Sequence, residues 1–284
     1  MNSNIWMSSE TTKNVVAAQS KPTSSGKSKT SRIKSTNSNN SSSNKIEKAK
    51  IIDIPQKVSN CGLMRRLNFS LSEEQKEFAE NIYDRDSKII FCDSVAGTGK
   101  TTVAVATACA MLEFGMYEQI IYVFAPIGFD NIGFAPGSIA EKTSMFFDPC
   151  CQALEELGYI SGKVIYELVD DPTGKANCFV HCVPHTFMRG INFSKSIIIV
   201  DESQNLYIDE LRKVLTRVKD DCKIIVIGHH GQCDLIKHPE NSGFIPYIQL
   251  FKDRNEGGKA RFCSLTKNFR GWVSNTADNI VNNK

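Results

Sequence analysis

The sequence predicts an α/β domain in which a mostly parallel β-sheet is covered by helices on both faces. Two observations predict this fold. Short runs rich in Ile and Val alternate with longer helical segments, and these runs are apolar at consecutive positions, as in strands buried on both faces. A third observation separates this domain, residues 61–284, from residues 1–60, which are rich in Ser, Asn and Lys. Because such a composition cannot bury enough apolar surface to offset the entropy of ordering, we expect residues 1–60 to be a disordered tail.

Six runs have the length and β-branched content of buried strands, and four segments between them have the pattern of helices. The predicted strands are residues 88–94, 119–126, 178–184, 196–202, 223–229 and 260–265, and the predicted helices are Glu73–Asp84, Lys100–Phe114, Ile139–Leu157 and Ile208–Lys219.

Positive charge is concentrated in the tail. The whole chain carries +3, but residues 1–60 hold ten Lys or Arg and three Asp or Glu, so the tail carries +7 and the other 224 residues carry −4. A flexible cationic arm could bind the phosphates of a nucleic acid, although a solubilising extension would have the same composition. The use of Lys and Asn rather than Arg argues against an organelle-targeting peptide.

The composition also bears on location. No apolar run approaches 18 residues and the N-terminus lacks the apolar segment of a secretory signal, so we expect a cytoplasmic protein. The ten cysteines are scattered without a CxxC pair, which favours reduced thiols. The stretch "CFVHCVPH" contains possible metal ligands, but alternate side chains of a strand face opposite ways, so we predict no metal site at Cys178, His181, Cys182 and His185.

The stretch "DSVAGTGKTT", residues 93–102, lies between a predicted strand and a predicted helix. It matches the phosphate-binding loop G-x-x-x-x-G-K-[ST] except at Ser94, where a serine is tolerable if φ stays negative. Lys100 would contact the β- and γ-phosphates, and the hydroxyl of Thr101 would bind Mg²⁺. The predicted nucleotide-binding residues here are Ala96, Gly97, Thr98, Gly99, Lys100, Thr101 and Thr102.

A second motif, "IIIVDESQN", ends a predicted strand in two acidic residues. Asp201 would hold hydrated Mg²⁺, and Glu202 would polarise the water that attacks the γ-phosphate. The alternative is that the two acids only end the strand and cap the next helix. Paired acids downstream of a phosphate loop favour hydrolysis over binding alone.

Three more residues are candidates for the same site. Gln232 follows a predicted strand and could sense the γ-phosphate, or it could be a solvated loop residue. Arg270 follows the last strand and could stabilise transition-state charge, or it could be an ordinary surface arginine. Gln75 forms a predicted capping box with Ser72, and its amide could also bind the edge of adenine.

Several blocks together resemble the PhoH family of ATPases, which is related to the superfamily 1 helicase core. The blocks, spread over residues 70–284, are "AGTGKT", "IGFAPGSIAEKTSMFFDPCCQAL", "TFMRGINF", "IIIVDESQN" and "GHHGQCDL". The resemblance implies a RecA-like P-loop ATPase domain, ATP with Mg²⁺ as ligands, and a loose link to RNA. In the middle block, it implies that Gly133, Pro136 and Glu141 shape a face for substrate or a neighbouring subunit.

The family's phosphate loop falls on Gly97, Gly99, Lys100 and Thr101, and its acidic pair falls on Asp201 and Glu202. Gln232 matches the family's glutamine, and "NFRG" is similar to the helicase motif whose arginine contacts the γ-phosphate, here Arg270. Arg189 also matches a family position, where it would make either a salt bridge or a substrate contact.

The chain departs from the family pattern at three positions. Ser94 replaces a glycine, Ala125 stands where an arginine is expected before Pro126, and His229 replaces the aspartate after Gly228. Loss of this acid is expected to weaken Mg²⁺ coordination or the coupling of hydrolysis to a substrate; the alternative is that His229 simply packs in the fold.

The resemblance also implies an assembly. A monomeric helicase closes ATP between two RecA-like domains, and this chain ends about fourteen residues after Arg270. We therefore expect a homo-hexameric ring, in which a neighbour supplies an arginine, that acts on RNA or single-stranded nucleic acid. A second class of function is an ATP-binding switch or scaffold with little or no motor activity. A third class is a small-molecule phosphotransferase.

Overall fold

The computed structural model describes residues 54–126, 139–169, 171–188, 193–235, 239–274 and 276. Its six strands pair in parallel in one sheet, with the order β3-β2-β4-β5-β1-β6. The strands are β1 (Ile89–Asp93), β2 (Gln119–Phe124), β3 (Val180–Pro184), β4 (Ser196–Val200), β5 (Lys223–Gly228) and β6 (Ala260–Cys263). The predicted α/β fold is confirmed.

Helices cover both faces of this sheet. They are α1 (Glu73–Tyr83), α2 (Lys100–Glu113), α3 (Ile139–Glu156), α4 (Ser161–Val164), α5 (Pro172–Lys175), α6 (Ile208–Leu215) and α7 (Phe244–Asp253). Residues of α1, α2 and α3 pack on one face, and residues of α6 and α7 pack on the other.

The two apolar cores follow from the alternation of side chains along each strand. In β1, Ile90 and Cys92 belong to the core under α1–α3, whereas Ile89 and Phe91 belong to the core under α6 and α7. Each fully buried aliphatic side chain contributes about 1.5–3 kcal/mol, so strands that are apolar at consecutive positions are stable only between two helical layers.

The strand order determines where ligands can bind. β5 lies between β1, which leads into the phosphate loop, and β4, which leads into the acidic pair. Because the strands are parallel, the segments that follow β1, β4, β5 and β6 leave the sheet at the same edge. This edge is where open parallel sheets bind their ligands.

The described domain begins earlier than residue 61. Residues 58–60 form a 3-10 turn, and the side chain of Val58 is fully buried. Glu80 of α1 accepts hydrogen bonds from the backbone N–H groups of Val58 and Ser59, at 3.2 and 3.0 Å. The predicted tail includes residues 54–60, because their mixed composition gives no sign of this docking.

Two helices differ from expectation. α6 ends at Leu215 rather than Lys219, because residues 216–221 turn back towards β5. α7 was not predicted, since Pro246 interrupts its apolar pattern. A proline is tolerated in the first turn of a helix, where its missing N–H would have no partner in the helix. The apolar residues Phe244, Ile248 and Phe251, which recur with helical spacing, were the available signal.

Some expectations lie outside the described residues. These concern residues 1–53 of the tail, Gly133, Pro136, Arg189 and the side chain of Glu141. Within the described part of the chain, every helix is too short or too polar to cross a membrane.

Candidate nucleotide-binding site

The phosphate loop connects β1 to α2. Gly97 and Gly99 have φ values of +73° and +76°, a region that glycine adopts without the strain of a side chain. Both positions are also crowded: a Cβ at Gly99 would lie 2.9 Å from Nε2 of Gln75, and a Cβ at Gly97 would lie 2.7 Å from Oδ1 of Asn268. The loop therefore requires glycine at both positions, for conformation and for space.

The first turn of α2 follows the loop directly. α2 is 14 residues long and begins at Lys100, which is buried. The unpaired N–H groups and the dipole of a helix start favour a phosphate at this point. Ala96 and Thr102 are partly buried, and Thr98 is fully buried and donates its hydroxyl to the carbonyl of Val95 at 3.1 Å.

Gln75, in the first turn of α1, makes a hydrogen bond to the phosphate loop. The predicted capping box is present, with Ser72 N donating to Gln75 Oε1 at 2.9 Å and Gln75 N donating to Ser72 Oγ at 3.2 Å. Gln75 Nε2 then donates to the carbonyl of Thr98 at 2.8 Å, and its side chain is 1% exposed. The structure shows Gln75 as a cap that also anchors the loop, and a contact with adenine stays a prediction.

Asp201 and Thr101 meet at the carboxyl edge of the sheet although they are 100 residues apart in the chain. Thr101 Oγ1 donates to Asp201 Oδ2 at 2.9 Å, and Asp201 is buried. A hydroxyl and a carboxylate are the hard oxygen ligands that Mg²⁺ takes beside substrate phosphates, so the two residues present here fit that ion.

Tyr122 is a third partner in this contact, and the sequence analysis did not identify it. Its hydroxyl donates to the same Asp201 Oδ2 at 2.5 Å from the middle of β2, and the residue is almost fully buried. Burial, with the charge of Asp201 adding to it, holds the pKa of Tyr122 well above its ordinary value, so the phenol remains a donor. The only signal in the sequence was a hydroxyl group in an apolar strand.

Glu202 follows Asp201 with φ +50°, a strained conformation for a residue with a side chain. Its backbone N–H donates to Asp201 Oδ1 at 2.8 Å. Glu202 is exposed to solvent, but partial desolvation of its carboxyl group raises the pKa of that group, and the negative charge of Asp201 raises it further. A raised pKa makes the carboxylate a stronger base.

Gln204 links Glu202 to the loop after β5. Its Nε2 donates to Glu202 Oε2 at 2.6 Å and to the carbonyl of Gln232 at 3.2 Å, and its Oε1 accepts from His229 N at 3.0 Å. The structure thus brings the predicted residues Glu202 and Gln232 into one network through an amide that sequence reasoning missed. A Cβ at Gly228 would lie 2.7 Å from Gln204 Oε1, so a larger residue there would displace this amide.

His229 lies in the same network, at the position where the family resemblance implies an aspartate. It is buried, and its Nδ1 has no hydrogen-bond partner among the described residues. The next residue, His230, bonds to the end of β1, with Nδ1 2.7 Å from Asp93 Oδ2. Ala125 is also buried and packs in the core under α6 and α7.

Arg270 lies against the phosphate loop. Phe269 N donates to the carbonyl of Gly97 at 2.9 Å, and the Cγ and Cδ atoms of Arg270 lie 2.8 and 2.9 Å from the point where a Gly97 Cβ would be. The residue is exposed. The structure therefore brings Arg270 to the loop within one chain.

The "CFVHCVPH" stretch contains β3, which begins at its third residue, and ends at His185 in the turn that follows. Cys182 is buried, whereas His181 is partly exposed and lies 3.7 Å from Glu167. Across the residues that the structure describes, no group of three or more His, Cys, Asp or Glu side chains could hold a metal ion.

The model of the PhoH-like protein family matches residues 69–274. The chain belongs to this family. PhoH-like relatives include a PhoH-like protein of Synechocystis sp., 31% identical over 194 residues that cover 68% of this chain and 55% of the relative. Protein PhoH of Escherichia coli (strain K12) is 30% identical over 178 residues, which cover 62% of this chain and 48% of the relative. The chain spans about half the length of the curated relatives it matches.

Among solved structures, the chain is similar to the large terminase of a thermophilic bacteriophage in complex with ADP. The TM-score is 0.41 at 13% identity, and the alignment covers 69% of this chain and 45% of the terminase. The family match and the phosphate loop on a parallel sheet together make this chain a P-loop NTPase of the PhoH-like family.

Proposed function

We propose that this P-loop NTPase hydrolyses ATP with Mg²⁺ and couples hydrolysis to the remodelling of RNA or single-stranded nucleic acid. The observation that carries the proposal is the 2.9 Å hydrogen bond between Thr101 and Asp201, which joins the phosphate loop to the acidic strand. Glu202 follows at once in the chain, with a raised pKa. A site built only to bind a nucleotide has no need of this second acid.

In the proposed reaction, the N–H groups of the loop and Lys100 bind the phosphates. Thr101 and Asp201 would hold Mg²⁺, and the bound ion would neutralise negative charge on the phosphate oxygens. Glu202 takes a proton from water as the water oxygen bonds to the γ-phosphorus, and the bond to the β–γ bridging oxygen breaks to leave ADP and phosphate. Arg270 stabilises the developing charge, and Gln232 orients the water or senses the phosphate.

The Glu202→Gln variant tests this role. We expect it to bind a fluorescent ATP analogue with little change but to release phosphate at least about a hundredfold more slowly, because an amide cannot take the proton. Glu256→Gln, at an exposed turn, is the matched control. Equal phosphate release by Glu202→Gln and the unmodified protein would contradict the proposal and favour an ATP-binding switch or scaffold.

The pH dependence tests the same carboxylate. Because the pKa of Glu202 is raised, hydrolysis should decline with falling pH at a higher pH than an ordinary glutamate would produce. Above that pKa the carboxylate is charged and active.

The nucleic-acid substrate and the ring are proposed on the family resemblance and on the tail charge of +7. We expect single-stranded RNA or DNA to stimulate phosphate release, and the stimulation to weaken as salt increases. We also propose a homo-hexamer in which a neighbour supplies a further arginine. The rate per subunit should then rise with protein concentration, and an active monomer in sedimentation would contradict the ring.

We also place the protein in the cytoplasm in this proposal. The ten cysteines all lie among the described residues and form no disulfide with one another, as is usual in a reducing compartment.

A further inference from the structure

Ser94 departs from the phosphate-loop pattern, and its side chain makes a specific contact. Its φ is not positive, so the backbone does not need glycine here. Its N–H donates to the carbonyl of Gly228 at 3.0 Å, which extends the pairing of β1 with β5. The hydroxyl, which glycine would lack, accepts a hydrogen bond from Leu265 N at 2.6 Å, and the residue is 3% exposed.

Leu265 begins the segment that carries Arg270, and we call residues 265–270 the arginine segment. The side chain of Leu265 is buried in the core under α1–α3. Its hydrogen bond to Ser94 is buried too, and a buried backbone N–H without a partner is strongly unfavourable. Ser94 therefore holds the first residue of the arginine segment in a fixed position relative to the phosphate loop.

The rest of the arginine segment follows the loop. Thr266 donates from its N–H and its hydroxyl to the carboxylate of Glu74, at 2.8 and 2.6 Å. Phe269 N donates to Gly97 O, and Arg270 N donates to Asn268 Oδ1 at 2.7 Å. These bonds place Arg270 beside Gly97, and the bond between Leu265 N and Ser94 Oγ fixes the position of the first residue of the segment.

We propose that Ser94 is a positioning residue for Arg270: its hydroxyl fixes the register of the arginine segment so that a chain supplies this arginine to its own phosphate loop. The inference rests on the proposed function for the role of Arg270. Ser94 is then required for phosphate release in this chain, and the glycine of the general pattern would lower the rate.

The test uses the full chain with Ser94→Ala, which removes only the hydroxyl, and Ser94→Gly, which restores the general pattern. We expect both to lower the rate constant for phosphate release about five- to tenfold, as loss of one hydrogen bond would, while ADP affinity changes less than about twofold. Ser264→Ala, which alters an exposed serine just before Leu265, is the matched control and should keep the original rate.

A double-mutant cycle identifies the route of the effect. If Ser94 acts through Arg270, Ser94→Ala should change the rate less than about twofold in an Arg270→Ala background. An equal loss in both backgrounds would overturn the inference, because it would mean that Ser94 acts on the loop alone. An unchanged rate in the single variants would also overturn it.

A second measurement does not depend on hydrolysis. Trp272 lies two residues beyond Arg270 and is 79% exposed, and Trp6→Phe would leave it as the only tryptophan. We expect Ser94→Ala to lower the fluorescence anisotropy of Trp272, because the arginine segment gains local motion, while Ser264→Ala leaves it unchanged. If the unmodified protein released no phosphate, the proposed function would fail. The anisotropy would still decide the position of the segment, and an unchanged value would overturn the inference.

Discussion

At the scale of single residues, the site depends on two side chains to which the sequence motifs assign no role. Tyr122 reaches Asp201 from a neighbouring strand, and Gln204 joins Glu202 to the loop after β5. Gln204 lies in the 3-10 turn of residues 203–205, and its two neighbours also make hydrogen bonds to this part of the chain. Ser203 donates to the carbonyl of Ile227, within β5, at 2.7 Å. Asn205 accepts from Asp234 N, in the loop after β5, at 2.8 Å. The acidic strand and the predicted sensor loop are therefore held as one unit.

We predict that Tyr122→Phe weakens Mg²⁺ binding by about tenfold, because groups that hydrogen-bond to a metal ligand orient it. The measurement is the Mg²⁺ concentration that gives half-maximal binding of a fluorescent ATP analogue. Tyr247→Phe on α7 is the control, since it removes a hydroxyl from the other face of the sheet. An unchanged Mg²⁺ requirement in Tyr122→Phe would show that the bonds from Thr101 and from Glu202 N are sufficient to orient Asp201.

Whether a site residue could be predicted depends on how far away in the sequence its partner lies. Lys100, Thr101, Asp201 and Glu202 belong to local patterns whose spacing reflects a strand, a turn and a helix. The bond from Tyr122 joins residues 79 positions apart, and the bond from Ser94 joins residues 171 positions apart. Such contacts depend on strand order, and no local pattern in one sequence determines that order.

At the scale of elements, the strands were predictable because burial on both faces requires consecutive apolar residues. β5 has one exception, Lys223, which begins the strand and is fully buried. Its ammonium group donates to the carbonyl of Asp84 and to Ser87 Oγ, which lie at the end of α1 and in the turn before β1. Burial lowers the pKa of Lys223 to about 7, although the charge of Asp84 acts in the opposite direction.

We predict that Lys223 makes stability depend on pH. Its pKa is about 7 in the fold and 10.5 when unperturbed, so between these values the unfolded chain binds more protons and stability rises with pH. The slope contributed by one such group is at most about 1.4 kcal/mol per pH unit. Urea unfolding of Lys223→Met between pH 7.5 and 9.5 should show a smaller slope.

Lys219→Met is the control for this experiment, because Lys219 is exposed in the turn before β5. It should retain the slope of the unmodified protein. If Lys223→Met retained that slope as well, the pH dependence would come from other groups.

At the scale of the whole molecule, the described domain includes residues that their composition assigned to the tail. Val58 is fully buried, and Tyr83 donates its hydroxyl to the carbonyl of Pro55 at 2.8 Å. A few apolar residues in a polar segment carry no periodic signal, so the sequence could indicate a tail but could not locate its end.

Two truncations test this boundary. A chain that begins at Ile54 should keep the melting temperature of the full chain within about 2 °C, whereas a chain that begins at Cys61 should melt about 10 °C lower. The second truncation loses the burial of Val58 and the bonds to Glu80. Val58→Ala in the chain that begins at Ile54 should reproduce part of the loss. Equal melting temperatures for the two truncations would place the boundary at residue 61.

α1 holds both flanks of the described domain: Glu80 accepts from residues 58 and 59, and Glu74 accepts from Thr266. The two glutamates are six residues apart, which is about 9 Å along a helix. A mechanical force applied between these flanks would therefore act along one short helix. The later flank is also bonded to the phosphate loop, because Phe269 N donates to Gly97 O, so tension on that flank would reach the nucleotide site as well.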